Sequence, residues 1–354
     1  MLPRHAYTGL RQVSTKPSPR RTLLLTFDAF DTLFTPRTSV PEQYASVAHE
    51  FGLPRTAITP QAIQSAFKAA YKAQAKKHYN YGRAEVLRGQ YAGPKQWWTD
   101  VIRATIEGAL SQSLRPGSSD TSPHSELPAG LVETLLHRFA GAEGYALFED
   151  VEPFFARLRE VKRAVPQLTP YERVFVGVVS NSDDRVPAVL RSLGLKHGVA
   201  WVRRAGESEV RSSPEIAGLG SVYEFMSQAG RPGVDIDMVI TSYEAGEEKP
   251  GRVIFDVARR QAGLLLPSGV SAESLWCVHV GDDYEKDYLA ARGAGWQSCF
   301  LDRKGGVERP GLKIRSLMEL VSKLRLGHEM EASGKSREWS DLLPAGAAGH
   351  ISGR

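Results

Sequence analysis

The sequence predicts an α/β protein with a doubly wound parallel sheet and a helical domain inserted after the first strand. Five short apolar runs rich in Val, Ile, Leu and Phe recur along the chain, and segments with helical periodicity lie between them. A long helical stretch separates the first run from the second. Runs of this length and composition are typical of parallel strands covered on both faces. Their alternation with helices indicates an open, mostly parallel sheet.

The predicted core spans residues 22–35 and 151–326. Its strands lie, in chain order, in TLLLTFDAFD, RVFVGVVSNSDD, DMVITSYEAGEEKP, LWCVHVGDDYEKD and WQSCFLDRKGG. Helices between the strands are expected in DDRVPAVLRSLGL, KPGRVIFDVARRQAG and EKDYLAARGAG. In sheets of this class a ligand binds outside the carboxyl ends of the strands. Polar residues that directly follow the strands are therefore the candidates for a functional site.

Residues 36–150 are predicted to form the inserted domain, a helical cap that closes over the strand ends. Its helices are expected in PEQYASVAHEFG, TPQAIQSAFKAAYKAQAKK, PKQWWTDVIRATIEGAL and GLVETLLHRFAG. Trp97 and Trp98 lie in this domain, with Tyr79 and Tyr81 upstream. These aromatic residues allow two interpretations: an aromatic wall over a substrate, and packing of the cap's own small core, which we favour.

Composition and charge exclude several classes of protein. A chain of 354 residues with 42% apolar and 24% charged residues can bury a sizeable core. No apolar run approaches the roughly 18 residues of a membrane helix. Of the 45 basic residues, five lie in residues 1–21, which hold no acidic residue, so the rest carries 40 basic against 40 acidic residues. The net positive charge of the chain therefore comes from this leader, and no nucleic-acid partner is indicated.

The two ends of the chain are predicted to lie outside the folded body. Residues 1–21 are Arg-rich, contain hydroxyl residues and lack acids, which is typical of a mitochondrial transit peptide. A disordered basic tail, in a protein of the cytoplasm or nucleus, is the alternative. Residues 327–354 are expected to be a disordered tail, and 115–130 and 203–220 to be loops. Cys277 and Cys299 lie in apolar runs, which favours a reducing compartment.

Chemically reactive side chains follow four of the predicted strands. They are Asp28 after the first, Ser180 and Asn181 after the second, Lys249 after the third, and Asp282, Asp283 and Asp287 after the fourth. A single aspartate at such a position is more often a helix N-cap. Four clusters at one sheet edge, however, supply carboxylates, a hydroxyl and an ammonium group together.

This set of groups suits phosphoryl transfer through an enzyme carboxylate. Asp28 and Asp282 can share a Mg²⁺ ion, which prefers oxygen ligands, while Asp28 attacks as the nucleophile. Ser180 and Lys249 would bind the equatorial phosphate oxygens. The expected partner is a small phosphorylated substrate.

The same residues carry a family resemblance. DAFDT, VVSN, EKP, and GDDYEKD followed by GAG resemble the four motifs of the haloacid dehalogenase superfamily over roughly residues 22–325. Within it, DAFDTL, AYKAQ, NYG, QWW and HVGDDYEKDYLAARGAGW are similar to the haloacid dehalogenase-like hydrolase domain-containing 3 group. The resemblance implies a Rossmann-like core with a helical cap inserted after the first strand.

The resemblance also implies a role for each matching residue. Asp28 is the nucleophile and a metal ligand, the backbone carbonyl of Phe30 is a metal ligand, and Asp282 is the second metal carboxylate. Asp287 holds metal-bound water or orients Lys249, whereas Asp283 has no firm role. The residues implied to bind the substrate are Thr32, Ser180, Asn181 and Lys249.

Position 30 departs from the pattern. Phosphatases of the superfamily usually carry an acid/base aspartate two residues after the nucleophile, and a phenyl ring cannot move a proton. Asp31 is expected to point away from the leaving group, since neighbouring side chains of an extended segment face opposite sides, yet a loop need not keep that alternation. Loss of general acid/base help, worth roughly 10² to 10⁴ in rate, predicts weak phosphatase activity. Two alternatives stay open: a binding or assembly factor, and a metal-independent 2-haloacid dehalogenase.

Overall fold

The computed structural model describes residues 21–112, 126–165, 169–198 and 233–326. The leader up to residue 20, the segment 203–220, residues 115–125 of the first predicted loop and the tail from residue 327 lie outside the described residues. The predictions made for these segments, including the transit peptide and the disordered tail, stay predictions.

A six-stranded parallel sheet forms the core. Its strands, with the two-stranded pair β2 and β3 included in the numbering, are β1 (Arg21–Phe27), β2 (Phe34–Pro36), β3 (Tyr145–Leu147), β4 (Tyr171–Ser180), β5 (Met238–Thr241), β6 (Leu275–Gly281), β7 (Gln297–Leu301) and β8 (Lys313–Ile314). The order across the sheet is β5-β4-β1-β6-β7-β8, and every neighbouring pair is parallel. The predicted Rossmann-like α/β class is confirmed. β8, a two-residue edge strand, has too short an apolar pattern to be found from the sequence.

Helices surround this sheet and fill the insertion. In chain order they are α1 (Val40–Glu50), α2 (Pro60–Lys77), α3 (Tyr79–Leu87), α4 (Pro94–Gln112), α5 (Leu131–Arg138), α6 (Val151–Ala164), α7 (Val186–Ser192), α8 (Ser242–Ala245), α9 (Val253–Leu264), α10 (Ala290–Gly293) and α11 (Glu319–Lys323). A 3-10 helix covers Ala272–Ser274 and a π-helix covers Tyr284–Leu289. Helix α3 is not predicted by the sequence, because Asn80, Tyr81 and Gly82 have left-handed backbone angles that interrupt any helical period.

Strand β1 separates two apolar layers. Leu23, Leu25 and Phe27 point to the layer that also holds Phe154 of α6, whereas Leu24 points to the layer that holds Phe255 of α9. Alternate residues of a strand face opposite sides, and all six of these side chains are fully buried. Burial on both faces is the reason the strand is apolar throughout.

The chain order places a crevice beside β1. From β1 the sheet continues through β4 and β5 on one side, and through β6, β7 and β8 on the other. Where the strand order changes direction in this way, a crevice opens at the carboxyl ends of the strands. Helices α1 to α5 lie in sequence between β2 and β3, which pair antiparallel. Among the helices of the described residues, none combines the length and apolarity that a membrane crossing requires.

Candidate active site

Asp28 is the first residue after β1, at the edge where the strands end. Its backbone N–H donates to the Val280 carbonyl of β6 at 2.9 Å, so the pairing of the two strands fixes its position. The side chain of Ser180, the last residue of β4, lies close enough to the Asp28 carboxylate to help lower the pKa of Asp28. Burial raises the pKa of Asp28, and the neighbouring Lys249 opposes that rise. The fold therefore brings the predicted nucleophile and the predicted hydroxyl into contact.

Lys249 joins two of the predicted carboxylates. Its Nζ lies 2.9 Å from Asp28 Oδ1 and 2.5 Å from Asp287 Oδ1, and it also donates to the Val179 carbonyl at 2.9 Å. Its side chain is only 2% exposed. Burial acts to lower the pKa of Lys249, but Asp28 and Asp287 outweigh it and raise that pKa to about 12. The ammonium group is therefore charged at neutral pH.

Asn181 is hydrogen-bonded to the backbone of Lys249. Its amide nitrogen donates to the Lys249 carbonyl at 2.8 Å, and its amide oxygen accepts the Lys249 backbone N–H at 2.6 Å. Both amide groups are used on the backbone of the loop that follows α8. Asn181 therefore holds the backbone of Lys249 in place, because the loop has no sheet partner there to satisfy its polar groups. The substrate-binding role implied for Asn181 stays a prediction.

Asp287 lies in the π-helix that follows β6, where a regular helix is predicted. Its Oδ1 accepts from Lys249 and from Nε2 of His279 at 3.2 Å, and the residue is 1% exposed. Burial would raise the pKa of Asp287, but the charges and hydrogen bonds of Lys249 and His279 lower it well below its usual range. A Cβ at Gly281 would lie 2.2 Å from the Asp287 Cγ. Glycine is therefore required at the end of β6, a role that the sequence pattern alone does not reveal.

His279 supports Asp287 from within the sheet. It is fully buried, and its Nδ1 lies 2.9 Å from the Thr26 hydroxyl oxygen of β1. Burial lowers the pKa of His279, so the ring is neutral at neutral pH. Because a carboxylate only accepts, the Nε2 nitrogen that faces Asp287 carries the proton.

Asp282 is the second predicted metal carboxylate, and Thr32 holds it. The Thr32 hydroxyl donates to Asp282 Oδ1 at 3.0 Å. Thr32 is fully buried, and its substrate-binding role stays a prediction. Burial, followed by the charges of Asp28 and Asp287, raises the pKa of Asp282 to about 7.

The chemistry of this donor set fits a divalent cation. Carboxylate oxygens of Asp28, Asp282 and Asp287 lie within 4.8 Å of one another. Three carboxylates face a single ammonium group, and burial together with the charges of Asp28 and Asp287 raises the pKa of Asp282. Mg²⁺ prefers oxygen ligands and would supply a compensating positive charge. The metal role implied for the Phe30 carbonyl stays a prediction.

Asp283 has a local role. Its carboxylate accepts from the backbone N–H groups of Glu285 at 3.0 Å and Lys286 at 2.9 Å, so it caps the π-helix. Its own N–H donates to Asp287 Oδ2 at 3.0 Å. Asp283 is thus a helix N-cap, which is a frequent role of an aspartate after a strand.

Phe30 packs into an aromatic cluster. Its ring centroid lies 4.8 Å from that of Phe34 and 5.6 Å from that of Tyr145, both in edge-to-face geometry. Phe34 and Tyr145 belong to the paired strands β2 and β3. The side chain at position 30 is therefore held against the two segments that connect the core with the insertion.

Asp31 points to solvent and not into the cluster. It is exposed, and its Oδ1 accepts from the Thr35 hydroxyl at 3.0 Å. Its φ of 54° is left-handed, a conformation that aspartate tolerates better than most residues. The predicted orientation agrees with the structure, although a turn and not an extended segment produces it.

The insertion contacts the strand ends through Trp98. Its indole N–H donates to Asp183 Oδ2 at 2.6 Å, and the Arg185 guanidinium lies 4.3 Å from its ring centroid while pairing with Asp183 at 2.9 Å. Trp97 is 2% exposed and packs with Tyr81 inside the insertion. Trp97 therefore packs the core of the insertion, which is the favoured interpretation, whereas Trp98 contacts the core domain. The aromatic wall over a substrate stays a prediction.

A small cavity lies within the insertion, where it meets Arg185 of the core. Its volume is about 60 Å³, and its lining includes Tyr44, Trp98, Tyr145 and Arg185. The Arg185 guanidinium is paired with Asp183.

The fold and site define a class before any comparison: an α/β protein with a carboxylate and lysine cluster at its strand ends. No family model matches the chain. The haloacid dehalogenase-like hydrolase domain-containing protein 3 of Danio rerio is 29% identical over 304 residues, covering 84% of this chain and 95% of its own length. The human protein of the same name is 28% identical, covering 78% and 80%.

Two further proteins extend the comparison. An uncharacterized hydrolase of Schizosaccharomyces pombe is 27% identical over 281 residues, covering 79% of this chain and 91% of its own length. The magnesium-bound structure of YfnB from Bacillus subtilis aligns with 86% of this chain and 99% of its own at 14% identity and a TM-score of 0.46. The predicted resemblance to haloacid dehalogenase-like hydrolases is confirmed by the curated relatives.

Proposed function

We propose that this haloacid dehalogenase-like protein is a Mg²⁺-dependent hydrolase of small phosphate monoesters that works slowly because position 30 is phenylalanine. The observation that carries the proposal is the ammonium group of Lys249, buried between Asp28 and Asp287 beside a third carboxylate, Asp282. The three carboxylates carry more negative charge than one ammonium group can offset. A Mg²⁺ ion would offset the rest, together with the negative charge of a phosphate ester that binds at the same edge of the sheet.

The residues divide the chemistry among them. Asp28 would attack the phosphorus atom, the bond to the leaving oxygen would break, and water would then hydrolyse the aspartyl phosphate and restore Asp28. Lys249 and the Ser180 hydroxyl would stabilise the charge on the equatorial oxygens. Asp28 and Asp282, with Asp287 through water, would hold Mg²⁺, which screens the phosphate from the carboxylates.

Phe30 is the reason for the expected low rate. In this proposal the leaving alkoxide takes its proton from water, since neither Phe30 nor the outward-facing Asp31 can deliver one. The loss corresponds to roughly 10² to 10⁴ in rate. The edge-to-face packing of Phe30 on Phe34 and Tyr145 supports a second candidate, a binding or assembly factor that keeps the metal cluster, because the ring already has a structural role.

A panel of phosphate monoesters, assayed with and without Mg²⁺, tests the proposal. The unchanged protein should hydrolyse at least one ester only with Mg²⁺, and Asp28→Asn should abolish that turnover. Phe30→Asp should raise it by up to about 10² to 10⁴-fold, because it restores a proton donor. Mg²⁺ binding without hydrolysis, before and after Phe30→Asp, would favour the binding factor. Metal-independent release of halide from 2-haloacids would contradict both.

A mitochondrial location belongs to the same set of proposals. It is supported by the basic, acid-free leader, most of which lies outside the described residues. The cytoplasm and nucleus remain the alternative sites.

A further inference from the structure

The chain crosses between the core and the insertion twice, and the two crossings are joined. The first crossing runs from Asp28 into β2, and the second runs from β3 to α6. Strands β2 and β3 pair antiparallel, and the Phe148 N–H donates to the Leu33 carbonyl at 3.1 Å. Any movement of the insertion relative to the core must therefore pass through these two short segments together.

Arg303 contacts both crossings from the core. It follows β7 by two residues, and its Nη2 donates to the Thr32 carbonyl of the first crossing at 2.7 Å. Its Nη1 lies 2.8 and 2.9 Å from the two carboxylate oxygens of Asp150, in the second crossing. The guanidinium also stacks 4.1 Å from the Phe148 ring centroid. A rigid guanidinium with several donors suits such a three-way contact.

Asp150 is itself fixed to the core. Its Oδ2 accepts from the Ser316 hydroxyl at 2.9 Å and from the Leu317 backbone N–H at 2.7 Å. Burial would raise the pKa of Asp150, but Arg303 and these donors lower it, so the carboxylate is charged at neutral pH. Asp150 therefore anchors the second crossing to the core, and Arg303 links the first crossing to it.

Thr32 carries this contact into the candidate active site. Its carbonyl accepts from Arg303, and its buried hydroxyl donates to Asp282 at 3.0 Å. One residue thus connects the joint between core and insertion with a carboxylate of the predicted metal cluster. The preceding residue, Asp31, has a left-handed φ of 54°, so the backbone turns sharply where Arg303 holds it.

We propose that Arg303 is a positioning residue: it fixes Thr32 and thereby Asp282, and so couples the seating of the helical insertion to metal binding. The inference deepens the proposed function in its metal-binding part. It assigns a role to a residue outside the four motifs, which touches neither the carboxylate cluster nor a substrate.

The first test measures Mg²⁺ affinity by calorimetry on the full chain. Arg303→Gln should weaken Mg²⁺ binding by about 10- to 100-fold, the range found when outer partners of metal ligands are removed. Arg303→Lys should recover little of this affinity, because a single ammonium group cannot contact both crossings at once. The matched control is Arg157→Gln, which removes a partly buried arginine of α6 that contacts Glu160 and the Leu326 carbonyl. It should leave Mg²⁺ affinity unchanged.

A double-mutant cycle tests the route through Thr32. Thr32→Val and Arg303→Gln should each weaken Mg²⁺ binding, and together they should weaken it by clearly less than the product of the single effects. Fully multiplicative effects would overturn the route. Arg303→Gln with Mg²⁺ affinity within about twofold of the unchanged protein would overturn the coupling and leave a stability role alone.

Hydrogen exchange without metal separates this inference from the proposed function. Arg303→Gln should speed amide exchange at residues 29–37 and 145–150 and also at residues 281–283, whereas Arg157→Gln should not. If the unchanged protein binds no Mg²⁺, the metal part of the proposed function is wrong. Exchange at residues 281–283 still shows whether Arg303 is coupled to the segment around Asp282. Unchanged exchange there would overturn it.

Discussion

The two sides of the candidate active site are built from opposite kinds of residue. On the side of the sheet, Lys249, Asp28 and Asp287 form buried ion pairs. On the side of the insertion, Phe30 and Tyr145 form an aromatic cluster. In the proposed function, the charged groups of the sheet side would bind phosphate and metal. At position 30 the insertion side has a phenyl ring, which cannot deliver a proton to a leaving group.

The largest effect is expected from breaking the sheet side. Lys249→Met leaves Asp28 and Asp287 buried without their ammonium partner, and loss of one partner of a buried pair costs about 3–5 kcal/mol. The free energy of unfolding, measured with urea in the absence of metal, should fall by that amount. Added Mg²⁺ should restore part of it, because the cation takes over the compensation of charge, while hydrolysis should be lost.

Lys162→Met is the matched control for this variant. Lys162 is as deeply buried as Lys249 and pairs with Asp237 at 2.8 Å, away from the carboxylate cluster. It should lose comparable stability without any recovery on addition of Mg²⁺. Equal recovery in both variants would contradict the link between Lys249 and the metal cluster.

An intermediate effect is expected at the contact of the insertion with the core. Trp98→Phe removes the indole donor to Asp183, and a hydrogen bond to a charged group is worth about 1.5–3 kcal/mol. Exchange of amides in α4 should become faster, and so should exchange near Asp183. Trp97→Phe removes the donor to the His78 carbonyl, a bond within the insertion. It should change exchange in the insertion alone. A similar change near Asp183 would argue against Trp98 as the residue through which the insertion contacts the core.

The smallest effect is expected at Asp31. Asp31→Asn keeps an acceptor for Thr35 and tolerates the left-handed backbone, so the free energy of unfolding should change by no more than about 0.5 kcal/mol. Steady-state rates on any hydrolysed ester should also stay close to those of the unchanged protein. A fall in rate of about 10²-fold or more would identify Asp31 as the proton donor and remove the contrast between the two sides.

The strand ends could be predicted from the sequence because their pattern is local. Asp28 directly follows β1 and Ser180 ends β4, and parallel strands bring those ends to one edge. Lys249 and Asp287 lie further along the segments that follow β5 and β6, and only the fold shows that their side chains reach the same edge. The contacts of Thr32 with Asp282 and of Asn181 with the Lys249 backbone depend on loop conformation in the same way.

Contacts between distant segments were beyond the reach of the sequence. Arg303 belongs to no motif, and its partners lie 153 and 271 positions away. Nothing in the local pattern marks Trp98 as a contact with Asp183, 85 positions later. The required glycine at position 281 is visible only once the Asp287 side chain is placed against it.

The long separation within the Lys249 ion pairs has a consequence for folding. Lys249 lies 221 positions after Asp28 and 38 before Asp287. Contacts so far apart carry a large loop-closure cost and form late. During synthesis from the N-terminus, Asp28 emerges long before its counter-charge and must wait for β5 and β6 to join β1. The finished ion pairs therefore report that the segments following β1, β5 and β6 have come together.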